Sequence, residues 1–62
     1  MNITLTIIDK DGKEAQMTFF EIVAISKDSR NPGKSLIHTN GEQFLCTLSF
    51  EELWEKLKNI RK

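Results

Sequence analysis

One cysteine, one histidine, one proline, three glycines and no tyrosine are all that the 62 residues hold of those types. A lone cysteine cannot close an internal disulfide, and with a single histidine no Cys/His cluster has zinc-ligand spacing. That cysteine usage fits a reducing compartment, so the expected location is cytoplasmic. None of the glycines stands in a G-x-G-x-x-G or G-x-x-x-x-G-K pattern, which leaves nucleotide binding without support. The longest uninterrupted apolar run is Ile22–Ile25, far too short to cross a bilayer as a helix. No basic-then-apolar pattern of an export signal opens the sequence. Charge of one sign is lacking too: nine basic and nine acidic residues cancel, so no global field draws the protein to nucleic acid or an anionic membrane. Any such contact must be local.

Bulk composition is that of a folded protein, with 39% hydrophobic and 29% charged residues. The length gives one domain, residues 1–62, at a size where a chain buries only roughly 60% of its unfolded surface and is marginal alone. A protein partner or self-association is therefore expected.

Period-two alternation marks the first strands. Ile3, Leu5 and Ile7 alternate with Asn2, Thr4 and Thr6, and Ala15 to Phe19 alternates in turn. A three-residue Lys10-Asp11-Gly12 loop with Gly12 left-handed in a bulge sets Ile7 against Ala15, Leu5 against Met17 and Ile3 against Phe19, every pair apolar. A two-residue Asp-Gly loop would oppose Ile7 to Gln16 and spoil the match, so the bulged register is expected. Phe20-Glu21 then forms a short corner. Ile22 to Ser26 has few polar positions and reads as a strand near the middle of a sheet. Asp28-Ser29-Arg30-Asn31-Pro32-Gly33 combines most of the residues that break regular structure and makes the longest loop.

From Leu36 to Lys58 the chain reads as a hairpin running into a capped helix. Asn40-Gly41 suits a type I′ turn, which pairs Thr39 with Glu42, His38 with Gln43, Ile37 with Phe44 and Leu36 with Leu45. The two strands are Ser35 to Thr39 and Gln43 to Leu48, with Ile37, Phe44, Cys46 and Leu48 on one face. Ser49 and Glu52 have the S-x-x-E spacing of a capping box, flanked by Leu48 and Leu53 at the staple positions. Phe50, Leu53, Trp54, Leu57 and Ile60 form one stripe at helical spacing, while Glu52 and Lys56 are placed for an i,i+4 ion pair. Glu51, Glu52 and Glu55 at one end, and Lys56, Lys58, Arg61 and Lys62 at the other, complement the helix macrodipole. The expected fold is α+β, mainly β: a small antiparallel sheet of four to five strands in the order β-β-β-β-α, with the C-terminal helix packed on one face.

Few residues offer chemistry. His38 would need a nucleophile, a second ligand or an orienting carboxylate, and its expected neighbour is Gln43. Cys46 falls on the inward face and reads as core, and so do Trp54 and the phenylalanines. The carboxylates lie scattered over turns and helix surface, with no pair in a recognisable cleft. Five elements leave little room for a deep pocket, so the chain is expected to be no enzyme, with no cofactor, no metal and no small-molecule substrate. The central loop remains. It carries Arg30 and Asn31 for base edges, Lys27 and Lys34 for phosphates, and Ser29 and Ser35 as hydroxyl donors. Loops held by a rigid scaffold are where binding residues concentrate.

The segments FFEIVAISKD and KSLIHTNGEQFLCTLSFEELWEKL resemble the amino-terminal part of the LytTR DNA-binding domain. The likeness rests on Glu21-Ile22-Val23 entering a strand, on Ile37-His38-Thr39 within a strand before a turn, and on Ser49-Phe50-Glu51-Glu52-Leu53 opening a helix. It covers about residues 5 to 60. It implies a mainly β protein that lays loops into DNA major grooves, with Arg30, Asn31 and Lys34 facing DNA. The family's later Phe-x-Arg-x-His-x-Ser segment has no counterpart in this sequence, so the likeness is to a truncated domain. A single loop would bind DNA weakly and with steep salt dependence, which calls for a homodimer. The chain is also similar in length, turn and Ser-x-Glu-Glu helix to small flagellar and swarming regulators of the FlbD/SwrD type and to small phage-encoded proteins. The expectation is a regulatory binding module: DNA-binding transcription regulation through the 27–34 loop of a dimer, or a protein-interaction factor that binds a host regulator through an exposed strand edge.

Overall fold

A computed structural model describes residues 2–60, so Arg61 and Lys62 of the basic end lie outside the described residues. Five strands precede one helix: β1 (Ile3–Ile8), β2 (Glu14–Phe19), β3 (Ala24–Lys27), β4 (Ser35–Thr39), β5 (Glu42–Cys46) and α1 (Phe50–Ile60). The strands make a single antiparallel sheet in the order β2-β1-β5-β4-β3.

The first hairpin has the bulged register that apolar matching demands, Ile3 opposite Phe19, Leu5 opposite Met17 and Ile7 opposite Ala15. Gly12 supplies the left-handed residue at φ 81°. Asp9 organises the loop: its Oδ1 accepts the N–H groups of Asp11 and Lys13 at 2.9 and 3.0 Å. In the second hairpin the pairs also run as counted from the turn, from Thr39–Glu42 to Leu36–Leu45. The turn itself differs from expectation. Gly41 has φ 89° but Asn40 is not left-handed, so the φ signs are those of a type II turn and only Gly41 needs its conformational freedom.

β3 begins at Ala24 rather than Ile22, because the Val23 N–H bonds at 2.8 Å to the carbonyl of His38, a residue already opposite Ala24, so the ladder starts one residue out of step. β3 is also an edge strand, since β1 inserts beside β5 through Ile7–Cys46 and Ile8–Leu45 and moves the centre of the sheet to β5. β5 ends at Cys46, short of Leu48, and one further rung beside β1 follows it: the Thr47 N–H donates to the Thr6 carbonyl at 3.1 Å, with the Thr47 hydroxyl on the same oxygen at 3.3 Å.

Residues 20–23 alone join the two edge strands β2 and β3. Five residue steps reach about 18 Å at most, whereas four strand spacings of a flat sheet measure about 19 Å before any offset along the strands. The sheet must therefore curl, and the short β1–β5 ladder lets it splay. Inside the curl sit Ile3, Leu5, Ile7, Phe19, Ile37, Cys46, Leu53 and Leu57, with Phe19 and Phe44 edge to face at 5.4 Å. α1 closes the β3–β4 side.

The capping box forms as spaced: the Glu52 N–H donates to Ser49 Oγ at 3.1 Å and the Ser49 N–H to Glu52 Oε1 at 3.0 Å. The Ser49 backbone N–H, then the Ser49 side chain, holds the Glu52 carboxyl below the usual carboxylate range. Glu52 is thus turned to the cap, and no Glu52–Lys56 ion pair forms among the described residues. The stripe is narrower than its spacing suggests. Leu53 and Leu57 are buried, but Trp54 is 52% exposed and Ile60 is exposed as well, contrary to the core role expected of Trp54. Trp54 follows Leu53 by one residue, about 100° around the helix, which carries it to the shoulder of the buried face. No described helix is long and apolar enough to cross a membrane.

Candidate functional site

Asp28 is the organiser of the loop between β3 and β4. Its Oδ1 accepts the Arg30 N–H at 3.1 Å and its Oδ2 accepts the Asn31 side-chain amide at 2.6 Å. Backbone bonds close the turn, from Asn31 N–H to the Asp28 carbonyl at 3.3 Å and from Lys34 N–H to the Asn31 carbonyl at 3.0 Å. The Asn31 amide, then the Arg30 backbone N–H, hold the Asp28 carboxyl below its ordinary range.

The four loop residues expected to meet DNA fare differently. Lys27 and Lys34 line one open groove of about 500 Å³ together with Ser49, Phe50 and Glu51 at the start of α1. Lys27 Nζ lies 3.5 Å from Glu51 Oε2 and 6.0 Å from the centre of the Phe50 ring. Arg30 is exposed and lies outside the lining of that groove, with no ion pair among the described residues. Asn31 has its amide nitrogen bound to Asp28. Asp28 and Glu51 set against Lys27, Arg30 and Lys34 leave one net positive charge. Ser35 is removed as a hydroxyl donor to phosphate: it is 0% exposed and its Oγ donates to the Leu48 carbonyl at 2.9 Å. Ser29 stays exposed.

His38 has a partner that strand counting did not supply. Gln43 is opposite it, yet its Nε2 lies 2.8 Å from Ser26 Oγ, diagonally across β3 and β4 on the sheet face away from α1. A serine bonded to a histidine is the start of a nucleophile and base. Here it lacks the rest. No carboxylate hydrogen bond orients the ring among the described residues, and the groove of about 480 Å³ that His38 lines does not include Ser26. The pair acts as a cross-strand clamp. Cys46 is fully buried, as expected, and no group of three His, Cys, Asp or Glu among the described residues could hold a metal.

A different feature stands out on the β3 edge. Ile22, Val23, Ala24 and Ile25 on one side, and Trp54, Leu57 and Lys58 on the other, line an open and mainly apolar groove of about 430 Å³. Val23 is 65% exposed at its lip and Phe20, three residues earlier, 69%. The sequence signal is the apolar run Ile22–Ile25, whose composition alone fits an interior strand. Only the strand order turns it outward.

Comparison of the chain with protein-family models, with curated proteins and with solved structures finds no match. The likenesses to LytTR domains and to FlbD/SwrD-type regulators therefore rest on the sequence pattern alone.

Proposed function

We propose that this chain is a regulatory binding module without catalytic activity, and that it acts by protein–protein contact through the groove between β3 and α1. The observation that carries this is the coincidence of an unpaired strand edge with exposed Val23 and Trp54 in one concave surface. Edge strands offer a row of backbone donors and acceptors, and adjacent pockets give side-chain selectivity. Aromatic anchors such as Trp54 dominate the energetics of such surfaces. A photo-reactive residue at position 54, expressed in the native cell, should yield a discrete protein adduct, whereas the same residue at position 30 should not. Equal labelling at both positions, or none at 54, refutes the proposal.

DNA binding by a dimer is the second reading, favoured by the exposed Arg30, which has no ion pair among the described residues, and by Lys34 beside Lys27. It requires retardation of duplex DNA that weakens steeply with salt and is lost when Arg30 and Lys34 become Ala. Retardation with that dependence would displace the first reading. The absence of any retardation at low salt would remove the second.

A further inference from the structure

We infer that the occupant of the β3–α1 groove is a second copy of this chain, joined about a twofold axis so that β3 pairs antiparallel with its symmetry mate. The inference rests on the groove being a binding surface and names what fills it.

Large apolar side chains stand in water at the groove and beside it: Phe20 is 69% exposed, Val23 65% and Trp54 52%.

The geometry is self-complementary. α1 packs over both β3 and β4, which places its axis about half a strand spacing, roughly 2.4 Å, inside the edge. Two β3 strands joined at about 4.8 Å would bring the paired helices to roughly 9.6 Å, within the 8–10 Å at which helices pack. Strand pairing centred on Ile25 opposes Ala24 to Ser26 and Val23 to Lys27 of the second copy, keeps both helices on the same face of the sheet, and sets no like charges opposite one another.

The charges on α1 fit the same axis. Glu51 lies three residues before Trp54 and Lys58 four after it, all three exposed. Antiparallel helices crossing at Trp54 and Glu55 therefore set Glu51 against Lys58 of the second copy twice over, with the two tryptophans at the centre. Glu55 is about 100° around the helix from Trp54 and points away from the seam. Such a contact is isologous and closes on itself, so it ends at the dimer.

Mass in solution and the emission of the only tryptophan test this together. Between micromolar and millimolar concentration the mass should rise from that of one chain to that of two, and Trp54 emission should shift to the blue as the indole leaves water. Trp54→Glu should hold the chain monomeric. Glu51→Lys or Lys58→Glu alone should weaken the dimer roughly three- to tenfold, and the double exchange should restore it by recreating the pair in reverse. A chain that stays monomeric at millimolar concentration overturns the inference. So does a dimer that withstands Trp54→Glu, or one that the double exchange weakens as much as either single change. Whether the groove is a protein-contact surface at all is decided separately, by the presence or absence of any discrete adduct at position 54.

Discussion

Replacing Ser35 with Ala separates a structural hydroxyl from a ligand-binding one. Ser35 starts β4 next to the basic loop, where a serine could serve a phosphate. Its Oγ instead donates to the Leu48 carbonyl at 2.9 Å, one residue before the Ser49 cap, so the bond ties the sheet to the start of α1. Ala removes the donor and leaves that carbonyl without it in a part-buried setting. Stranding a buried acceptor costs about 1–3 kcal/mol, and the partial access of water here favours the lower half, about 1–2 kcal/mol. For a domain of this length, whose total stability is on the order of 3–9 kcal/mol, that loss corresponds to a fall of roughly 4–16 °C in Tm. Urea and thermal unfolding followed by circular dichroism measure it, with Ser29→Ala as the exposed control expected within about 0.5 kcal/mol of the parent. A Ser35→Ala protein as stable as the parent, or no less stable than the Ser29→Ala control, would refute the assignment.

Two further outcomes follow from the loops. Asp28 should titrate below the usual carboxylate range, and Asn31→Ala should raise it, as read by carboxyl NMR shifts; because the folded value is depressed, the loop's stabilisation is full above the unfolded carboxylate pKa and fades as pH falls through the lower folded one. An Asp28 titration unmoved by Asn31→Ala would contradict this. Gly41→Ala should cost about 1–2 kcal/mol because Gly41 is the left-handed residue of the Asn40-Gly41 turn, whereas Asn40→Ala should change stability by less than about 0.5 kcal/mol. Equal losses in denaturant melts would restore a type I′ turn.

Local signals in this sequence were legible because each is fixed by a few neighbouring residues. The bulge at Gly12, both hairpin registers, the Ser49–Glu52 box and the burial of Cys46 all follow from alternation, turn chemistry or capping, and the structure has them. What was not legible is the order of the strands. Ile22–Ile25 is equally apolar whether a strand sits at the centre or lines a groove at the edge, and the decision lies in the pairing of β1 with β5, nearly forty residues apart in sequence. The exposure of Trp54 is hidden from the sequence for the same reason. Helical spacing tells which residues share a stripe, but the width of the stripe that is covered depends on how much sheet lies beneath it, and β3 is the last strand on that side. In the loop, residue types suggested donors without showing that Asp28 and Leu48 already hold two of them.

The two candidate surfaces are not independent, because β3 belongs to both. Ile25 lines the groove, and Lys27, two residues on and on the same face, begins the basic loop and reaches Glu51 on α1. A partner strand along β3 fixes the backbone of Lys27, and a cation brought to Glu51 competes with Lys27 for that carboxylate. The Lys27–Glu51 pair is highly exposed on both sides and therefore easily exchanged in water. A second copy seated in the groove, with its Lys58 brought to Glu51, would thus release the Lys27 charge to the loop at little cost. On that arrangement, filling the groove and strengthening the loop's field would be coupled in the same direction, and dimerisation would add to affinity for an anionic partner beyond the doubling of contacts that it brings.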